Sequence, residues 1–179
     1  MKKLIIALAL LTLLLAGCTH TPQENGTVTG NGSDVSGKIV EVGDTVKVEY
    51  RGEFLDGKVF DSSESHGQPL EFVAGMGRMI KGFDEAVVGM RLGQEKTVTL
   101  APSQAYGFVD ESKIVEIPKE NIEVGWDELQ EGTPISSPEA GNGIVLEKKE
   151  NSVVVDFNHP LAGKTLVFWI KVVELEKGS

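Results

Sequence analysis

Apolar and polar side chains alternate along the chain just after residue 44. Val46, Val48 and Tyr50 are separated by Lys47 and Glu49, which is the period of a half-buried β-strand. An Asp-Gly pair shortly afterwards favours a tight turn into a second strand. Similar patterns predict further strands around residues 59–60, 70–74, 94–100 and 165–175.

A different spacing follows the Gly75-Met76-Gly77 segment. Apolar residues recur there at intervals of three and four positions, which predicts one short amphipathic helix that stops near Gly89. The apolar face of this helix would hold Met79, Ile80, Phe83, Ala86, Val87 and Met90. Strands, one helix and then strands again indicate an α+β fold, with a twisted antiparallel sheet over a single short helix.

Residues 108–160 differ in composition from the segments on either side. They contain four prolines and several turn signals, among them Gly141-Asn142-Gly143. Two strands are predicted here, at 144–149 and 152–156, joined by a Glu150-Asn151 turn. A structureless connection of this length would be unusual, so we expect a small, mostly β unit inserted before the last strand.

The first 37 residues are predicted to direct export rather than to join the fold. Lys2 and Lys3 precede an uncharged apolar run at 4–16, which as a helix would rise about 20 Å, short of the roughly 30 Å hydrocarbon core. This pattern is typical of a signal peptide. The run ends in Leu-Ala-Gly-Cys18, which resembles a lipobox, and the alternatives are an ordinary signal peptide or an uncleaved anchor. Residues 19–37 are polar and predict a flexible tether.

Charge and motifs exclude several classes of function. The formal net charge is −10, and loss of Lys2 and Lys3 with a leader would remove two positive charges, so nucleic acid is not expected as a partner. Cys18 is the only cysteine, so no internal disulfide can form. No nucleotide-binding or serine-hydrolase motif occurs. We expect no cofactor and no metal, because the histidines are too scattered for a zinc site: His20, His66 and His159.

Several short segments, in order along residues 38–179, resemble FKBP-type peptidyl-prolyl cis-trans isomerases. They lie at 48–52, 56–63, 77–86, 89–94, 105–107 and 166–168. The insertion directly after Ala105-Tyr106-Gly107, with its ending at 153–163, resembles the SlyD-like branch, in which an insert-in-flap domain replaces a short flap and binds unfolded chains. The residue patterns predict a lipoprotein signal peptide at 1–17 and a tether at 18–37. The resemblance implies an FKBP-like domain at 38–109 and 160–179, and an insert-in-flap domain at 110–159.

The resemblance also implies a hydrophobic pocket between sheet and helix. The residues implied as catalytic are Tyr50, Phe60, Asp61, Ile80, Tyr106 and Phe168, and those implied as substrate-binding are Leu70, Phe72, Met79 and Phe83. In the family, Tyr50 and Asp61 would hydrogen-bond to each other, while Tyr106 and the Ile80 N–H would hold substrate carbonyls. Any one aromatic residue could instead be plain core. Phe83 replaces a common tryptophan and Leu70 a common aromatic, which puts affinity for macrolide inhibitors in doubt.

The expected function is prolyl isomerisation that assists the folding of exported proteins, with client capture by the insert. Capture would use Ile114, Val115, Ile117, Ile122, Val124 and Trp126, although for any one of these residues a place in the insert's own core is the favoured alternative. The expected partners are unfolded or proline-containing protein segments and, through a lipid on Cys18, a membrane on the extracytoplasmic side. We expect a monomer. The alternatives are a non-enzymatic chaperone or binding lipoprotein on the same fold, and a passive surface lipoprotein.

Overall fold

The computed structural model of the chain describes residues 38–122 and 125–178. The predicted leader and tether, Cys18 and Val124 lie outside these ranges. Within them the strands are β1 (Thr45–Phe54), β2 (Val59–Ser62), β3 (Leu70–Val73), β4 (Glu95–Leu100), β5 (Ile114–Pro118), β6 (Pro134–Ser137), β7 (Gly141–Lys148), β8 (Ser152–Asp156) and β9 (Leu166–Glu176). The α-helices are α1 (Ser63–His66) and α2 (Lys81–Val87). No helix in the described part of the chain is long and apolar enough to span a membrane.

Five antiparallel strands form the large sheet, in the order β2-β1-β9-β4, and β3 pairs with the first half of β1. The two central strands are long, and their alternation places apolar side chains on one face. Val46 and Val48 of β1 and Ile170 of β9 are fully buried there. The predicted α+β class, an antiparallel sheet on one short helix, is therefore confirmed.

Helix α2 packs on that buried face but is shorter than predicted. Phe83, Ala86 and Val87 are buried, as the apolar spacing predicts. Met79 and Ile80 lie before the helix, and the backbone of Ile80 is extended (φ −57°, ψ 139°) while its carbonyl accepts the first helical hydrogen bonds. Their assignment to the helix was wrong because apolar spacing also arises when a loop packs against the same core.

Four antiparallel strands form the small sheet, in the order β5-β8-β7-β6. Val145, Val153 and Val155 are its buried centre. The sequence did not predict β5 or β6, and Gly141-Asn142-Gly143 begins β7 instead of forming a turn. The reason for a glycine at 143 is packing, because a Cβ atom there would lie 2.7 Å from the Phe157 ring and from Val155.

Two chain segments connect the two sheets, at residues 107–110 and 158–163, and they are hydrogen-bonded to each other. The Gly163 N–H donates to the Gly107 carbonyl at 2.8 Å. The Asp110 N–H donates to Asn158 Oδ1 at 2.9 Å, and Asn158 Nδ2 donates back to the Asp110 carbonyl at 2.9 Å. The outgoing and returning segments therefore run side by side, next to Tyr106.

Candidate active site

A small cavity lies between the large sheet and the start of α2. Its volume is about 230 Å³, below the roughly 300–1,000 Å³ of typical small-molecule sites, so it suits one side chain better than a cofactor. A larger cleft of about 490 Å³, near Trp169, is lined by charged residues such as Glu49 and Arg51. The small cavity differs from it in being lined mainly by apolar and aromatic residues: Tyr50, Phe60, Asp61, Leu70, Met79, Ile80, Phe83, Tyr106 and Phe168.

Aromatic rings form the walls of this cavity and hold one another in place. Phe168 meets Phe60 and Phe83 edge to face, with ring centroids 5.7 Å and 5.4 Å away. This arrangement stabilises aromatic pairs beyond simple burial. A Cβ atom on Gly52 of β1 would lie only 2.6 Å from Phe60 Cζ, so the absence of a side chain there lets the Phe60 ring lie against the strand. The walls are therefore packed from behind as well as from the side.

The polar edge of the cavity is a carboxylate with all its strong partners in place. The Tyr50 hydroxyl donates to Asp61 Oδ2 at 2.8 Å, and the Ser62 N–H donates to Oδ1 at 2.9 Å. His66 Nε2 lies 2.8 Å from the same Oδ1. Burial alone would raise the pKa of Asp61, but hydrogen bonds from Tyr50, His66 and Ser62 lower it overall. Asp61 is therefore a fixed anion rather than a proton carrier at neutral pH.

Two hydrogen-bond donors at the cavity remain available to a ligand. Burial and the charge of Asp61 raise the pKa of Tyr106, whose hydroxyl has no hydrogen-bond partner within the described residues. The Ile80 N–H likewise has no acceptor in that part of the chain. Both residues are half-buried, and two open donors beside an apolar cavity favour a ligand that presents carbonyl oxygens.

The loop that carries Met79 and Ile80 is fixed by a buried carboxylate. Asp84 in α2 is 5% exposed, and its two oxygens accept the Gly75 and Gly77 N–H groups at 2.7 and 2.8 Å. Both donors belong to the backbone, so the carboxylate sets the path of the loop without any side-chain partner. Asp84 thereby positions the Ile80 N–H, although it does not line the cavity.

Comparison with known proteins identifies the family. Residues 37–173 match the family model of FKBP-type peptidyl-prolyl cis-trans isomerases. The chain belongs to this family. It is 42% identical over 154 residues to the short-type peptidyl-prolyl cis-trans isomerase of Methanocaldococcus jannaschii, covering 77% of this chain and 95% of that protein. It is 35% identical over 143 residues to the isomerase SlyD of Treponema pallidum, covering 75% of this chain and 77% of that protein. For SlyD of Helicobacter pylori the identity is 34% over 125 residues, 68% of this chain and 66% of that protein.

Nine of the ten residues predicted for the pocket of this FKBP-type isomerase surround one cavity. The tenth, Phe72, does not line it. Phe72 is 6% exposed in the core, and its ring centroid lies 5.9 Å from that of Phe83. The alternation of β3 correctly placed Phe72 on the buried face, but it could not show that Phe72 packs in the core beside Phe83 without lining the cavity.

The residues predicted to capture clients lie in and beside the small sheet. Ile117, Ile122 and Trp126 pack against its buried valines, which is the core role that the sequence left open. Ile114 is half-buried and Val115 is 41% exposed, both on β5. Val124 lies outside the described residues.

Three residues in or near the candidate site received no role from the sequence: Gly52, Asp84 and Phe108. Asp84 was overlooked because its partners are backbone groups, which leave no pattern in the sequence. Gly52 lies within the segment 48–52, but the resemblance gave it no role of its own. Phe108, which is 71% exposed and lies two positions after Tyr106, was not considered as a contact residue. An aromatic residue at the start of the inserted segment was the available signal.

Proposed function

We propose that X-Pro bonds rotate in the aromatic cavity, and that the small sheet captures unfolded segments of the same clients. Family membership establishes the isomerase class, but not which residues act. The observation that carries the proposed site is that two open donors, the Tyr106 hydroxyl and the Ile80 N–H, border one apolar cavity large enough for a single prolyl side chain.

The proposed chemistry needs no nucleophile. A prolyl bond rotates over a barrier of about 18–20 kcal/mol because amide resonance keeps it planar. The twisted transition state has lost much of that resonance and its charge separation, so an apolar site favours the twisted form over the planar one. Tyr106 and the Ile80 N–H would hold the neighbouring carbonyls while the bond turns. A ten-thousandfold acceleration requires about 5.4 kcal/mol.

Substitution within the cavity tests this assignment. Phe60→Ala and Tyr106→Ala should each reduce kcat/KM on a proline tetrapeptide, since the first removes a wall and the second a donor. Phe157→Ala is the matched control, because Phe157 packs against the small sheet and should leave tetrapeptide kcat/KM unchanged. If both cavity variants kept the wild-type value, the site would lie elsewhere.

A cleft in the small sheet supports the capture proposal. It has a volume of about 480 Å³, and apolar residues from several segments line it, among them Ile117, Ile122, Leu129 and Ile135. Ile117 lies on β5 and Ile135 on β6, while Ile122 and Leu129 lie in the segment between these two strands. An apolar client side chain placed there would lose contact with water at roughly 25 cal/mol per Å² buried.

The edge of the sheet adds backbone groups to the same cleft. Strand β6 is at one edge of the small sheet, and its residues Pro134–Ser137 line the cleft. An edge strand offers unpaired N–H and C=O groups to a further strand. An extended client could therefore pair with β6 while its side chains enter the cleft, which gives affinity without demanding a particular sequence.

Two variants separate capture from isomerisation. Ile122→Ser removes an apolar residue from the cleft, and Ile144→Ser is its control, because Ile144 is 41% exposed and alternates with buried Val145 on the opposite face of β7. Ile122→Ser should weaken catalysis of proline-limited protein refolding more than catalysis on a tetrapeptide, and Ile144→Ser should affect neither. Equal losses in both assays would argue against capture. Suppressed client aggregation without faster refolding would instead indicate a binding-only chaperone.

Export and membrane attachment form the last part of the proposal. Support comes from the sequence alone: the basic start, the apolar run at 4–16 and the small residues before Cys18. Cys18→Ser should shift the expressed protein from the membrane fraction to a soluble one, and should remove the added lipid mass from its N-terminal peptide. Retention in the membrane without lipid would indicate an uncleaved apolar anchor.

A further inference from the structure

The imidazole of His159 lies flat against the ring of Tyr106. The two ring centroids are 4.1 Å apart, and the planes differ by 8°. His159 does not line the cavity, whereas Tyr106 does. More than fifty positions separate the two residues, so this contact exists only because the inserted segment returns beside its starting point.

The backbone around His159 fixes the position of the imidazole. The Leu161 N–H donates to His159 Nδ1 at 3.1 Å, and the Ala162 N–H donates to the His159 carbonyl at 2.8 Å. Pro160 sits at the second position of the resulting turn, where its fixed φ is favourable. Leu161 packs against the large-sheet core, so the turn is attached to the isomerase side of the molecule.

Tyr106 packs against the large-sheet core, and the stack on His159 is a further contact of its ring. Its hydroxyl has no hydrogen-bond partner within the described residues, so no polar contact there fixes the ring. An unbonded hydroxyl can serve as a donor to substrate only if the ring that carries it keeps one orientation, and an error of about 1 Å can cost up to a hundredfold in rate. We infer that His159 is a positioning residue for prolyl isomerisation, acting through its stack on Tyr106.

This inference rests on the proposed role of Tyr106. It also decides where the chain should be cut in a variant that lacks the insert. Removing 110–159 would also remove His159, so a loss of tetrapeptide activity could be misread as a catalytic role for the small sheet. Asp110 and Asn158 are hydrogen-bonded to each other. A short glycine linker in place of 111–157 would therefore close the chain and keep His159.

Three substitutions in the full chain distinguish the contacts of His159. His159→Ala removes both ring and acceptor, His159→Phe keeps a stacking ring, and His159→Asn keeps an acceptor for the Leu161 N–H. His159→Ala and His159→Asn should each lower tetrapeptide kcat/KM about fivefold, equivalent to about 1 kcal/mol, while His159→Phe stays near wild type. If His159→Asn kept wild-type activity and His159→Phe lost it, the hydrogen bond from the Leu161 N–H rather than the ring stack would account for the effect. That result would overturn the inference.

A spectroscopic readout reports the stack directly. The chain contains only two tyrosines, so selective isotope labelling gives two ring systems in an NMR spectrum, and Tyr106→Phe assigns them. A ring stacked at this distance shifts the Tyr106 resonances; this shift should vanish in His159→Ala and persist in His159→Phe, with the melting temperature nearly unchanged.

A double substitution separates the failure of this inference from failure of the proposed function. In a Tyr106→Ala background His159→Ala should have no further effect, because positioning requires a ring to position. The same fivefold loss in that background would overturn the inference alone. An unchanged kcat/KM for Tyr106→Ala itself would overturn the proposed role of Tyr106, and the inference with it.

Discussion

Replacing Gly52 by alanine should damage the active site, although Gly52 itself does not line the cavity. Gly52 lies in β1 and has Asp61 opposite it on β2 and Phe168 opposite it on β9. A Cβ atom at this position would lie 2.6 Å from Cζ and 2.9 Å from Cε2 of Phe60, and 3.0 Å from Phe168 Cε1. Ordinary van der Waals contact begins at about 3.4 Å, so the Phe60 ring would have to move by roughly 0.8 Å.

The surrounding rings leave Phe60 little freedom to make that movement. Phe54 is 5.1 Å away and Phe168 is 5.7 Å away, measured between ring centroids. Overpacking of this kind costs about 1–3 kcal/mol of stability. Because the displaced ring is also a wall of the proposed prolyl site, we expect Gly52→Ala to lower tetrapeptide kcat/KM by about tenfold or more.

Gly143→Ala provides a matched control for this substitution. A Cβ atom there would meet Phe157 and Val155 at 2.7 Å, a similar clash in the small sheet. Both variants should lose stability in guanidinium unfolding, but only Gly52→Ala should lose activity in a protease-coupled isomerisation assay. Wild-type kcat/KM for a folded Gly52→Ala variant would refute the view that a fixed Phe60 ring is needed.

Four further predictions concern polar groups. Tyr106→Phe should lower kcat/KM about three- to tenfold, the range expected for one hydrogen bond. Neither Asp61 nor Tyr106 should contribute a step to the pH profile of wild-type activity between about pH 5 and 8, because the pKa of Asp61 is lowered and that of Tyr106 is raised. Asp84→Asn should lower the unfolding free energy by about 1–3 kcal/mol and should also reduce kcat/KM. The reason is that the amide has a single oxygen, whereas the two carboxylate oxygens of Asp84 each accept one loop N–H. Asp44, whose side chain is 4% exposed, accepts from Lys177 and from the Glu41 and Gly178 N–H groups; burial raises its pKa but these bonds lower it overall from 3.8. Its stabilisation is therefore present above about pH 3.8 and lost as pH falls through the lowered folded value, so urea midpoints of wild type and Asp44→Asn should converge in acid; a constant gap would contradict this.

The parts of the fold that sequence predicted well are those with a strong local period. Strand β1 alternates so regularly that its buried and exposed faces follow from five residues. The first turn of α2 could not be placed in the same way. Ile80 and Met79 keep the apolar spacing of the helix, but Asp84 bonds to the Gly75 and Gly77 N–H groups and holds the preceding loop in another path.

The residues of the candidate site likewise differ in whether a local sequence pattern could identify them. Phe60, Asp61 and Tyr106 could be named because each sits in a short segment with its own residue pattern. Phe72 could not be separated from them, since only the structure shows which of the buried rings line the cavity. His159 could not be connected to Tyr106, because no periodicity relates residues on opposite sides of an inserted segment.

The hydrogen bonds of the site also show which of its groups are left to position a substrate. Asp61 is occupied by Tyr50, His66 and Ser62, so it can neither accept a proton readily at neutral pH nor release Tyr50 as a donor. In the proposed site a substrate would be held by two groups that have no hydrogen-bond partner within the described residues, the Tyr106 hydroxyl and the Ile80 N–H. Each sits on a segment held by a polar side chain outside the cavity, His159 for the first and Asp84 for the second. Activity should therefore depend on these two supports as well as on the aromatic walls, although neither His159 nor Asp84 lines the cavity.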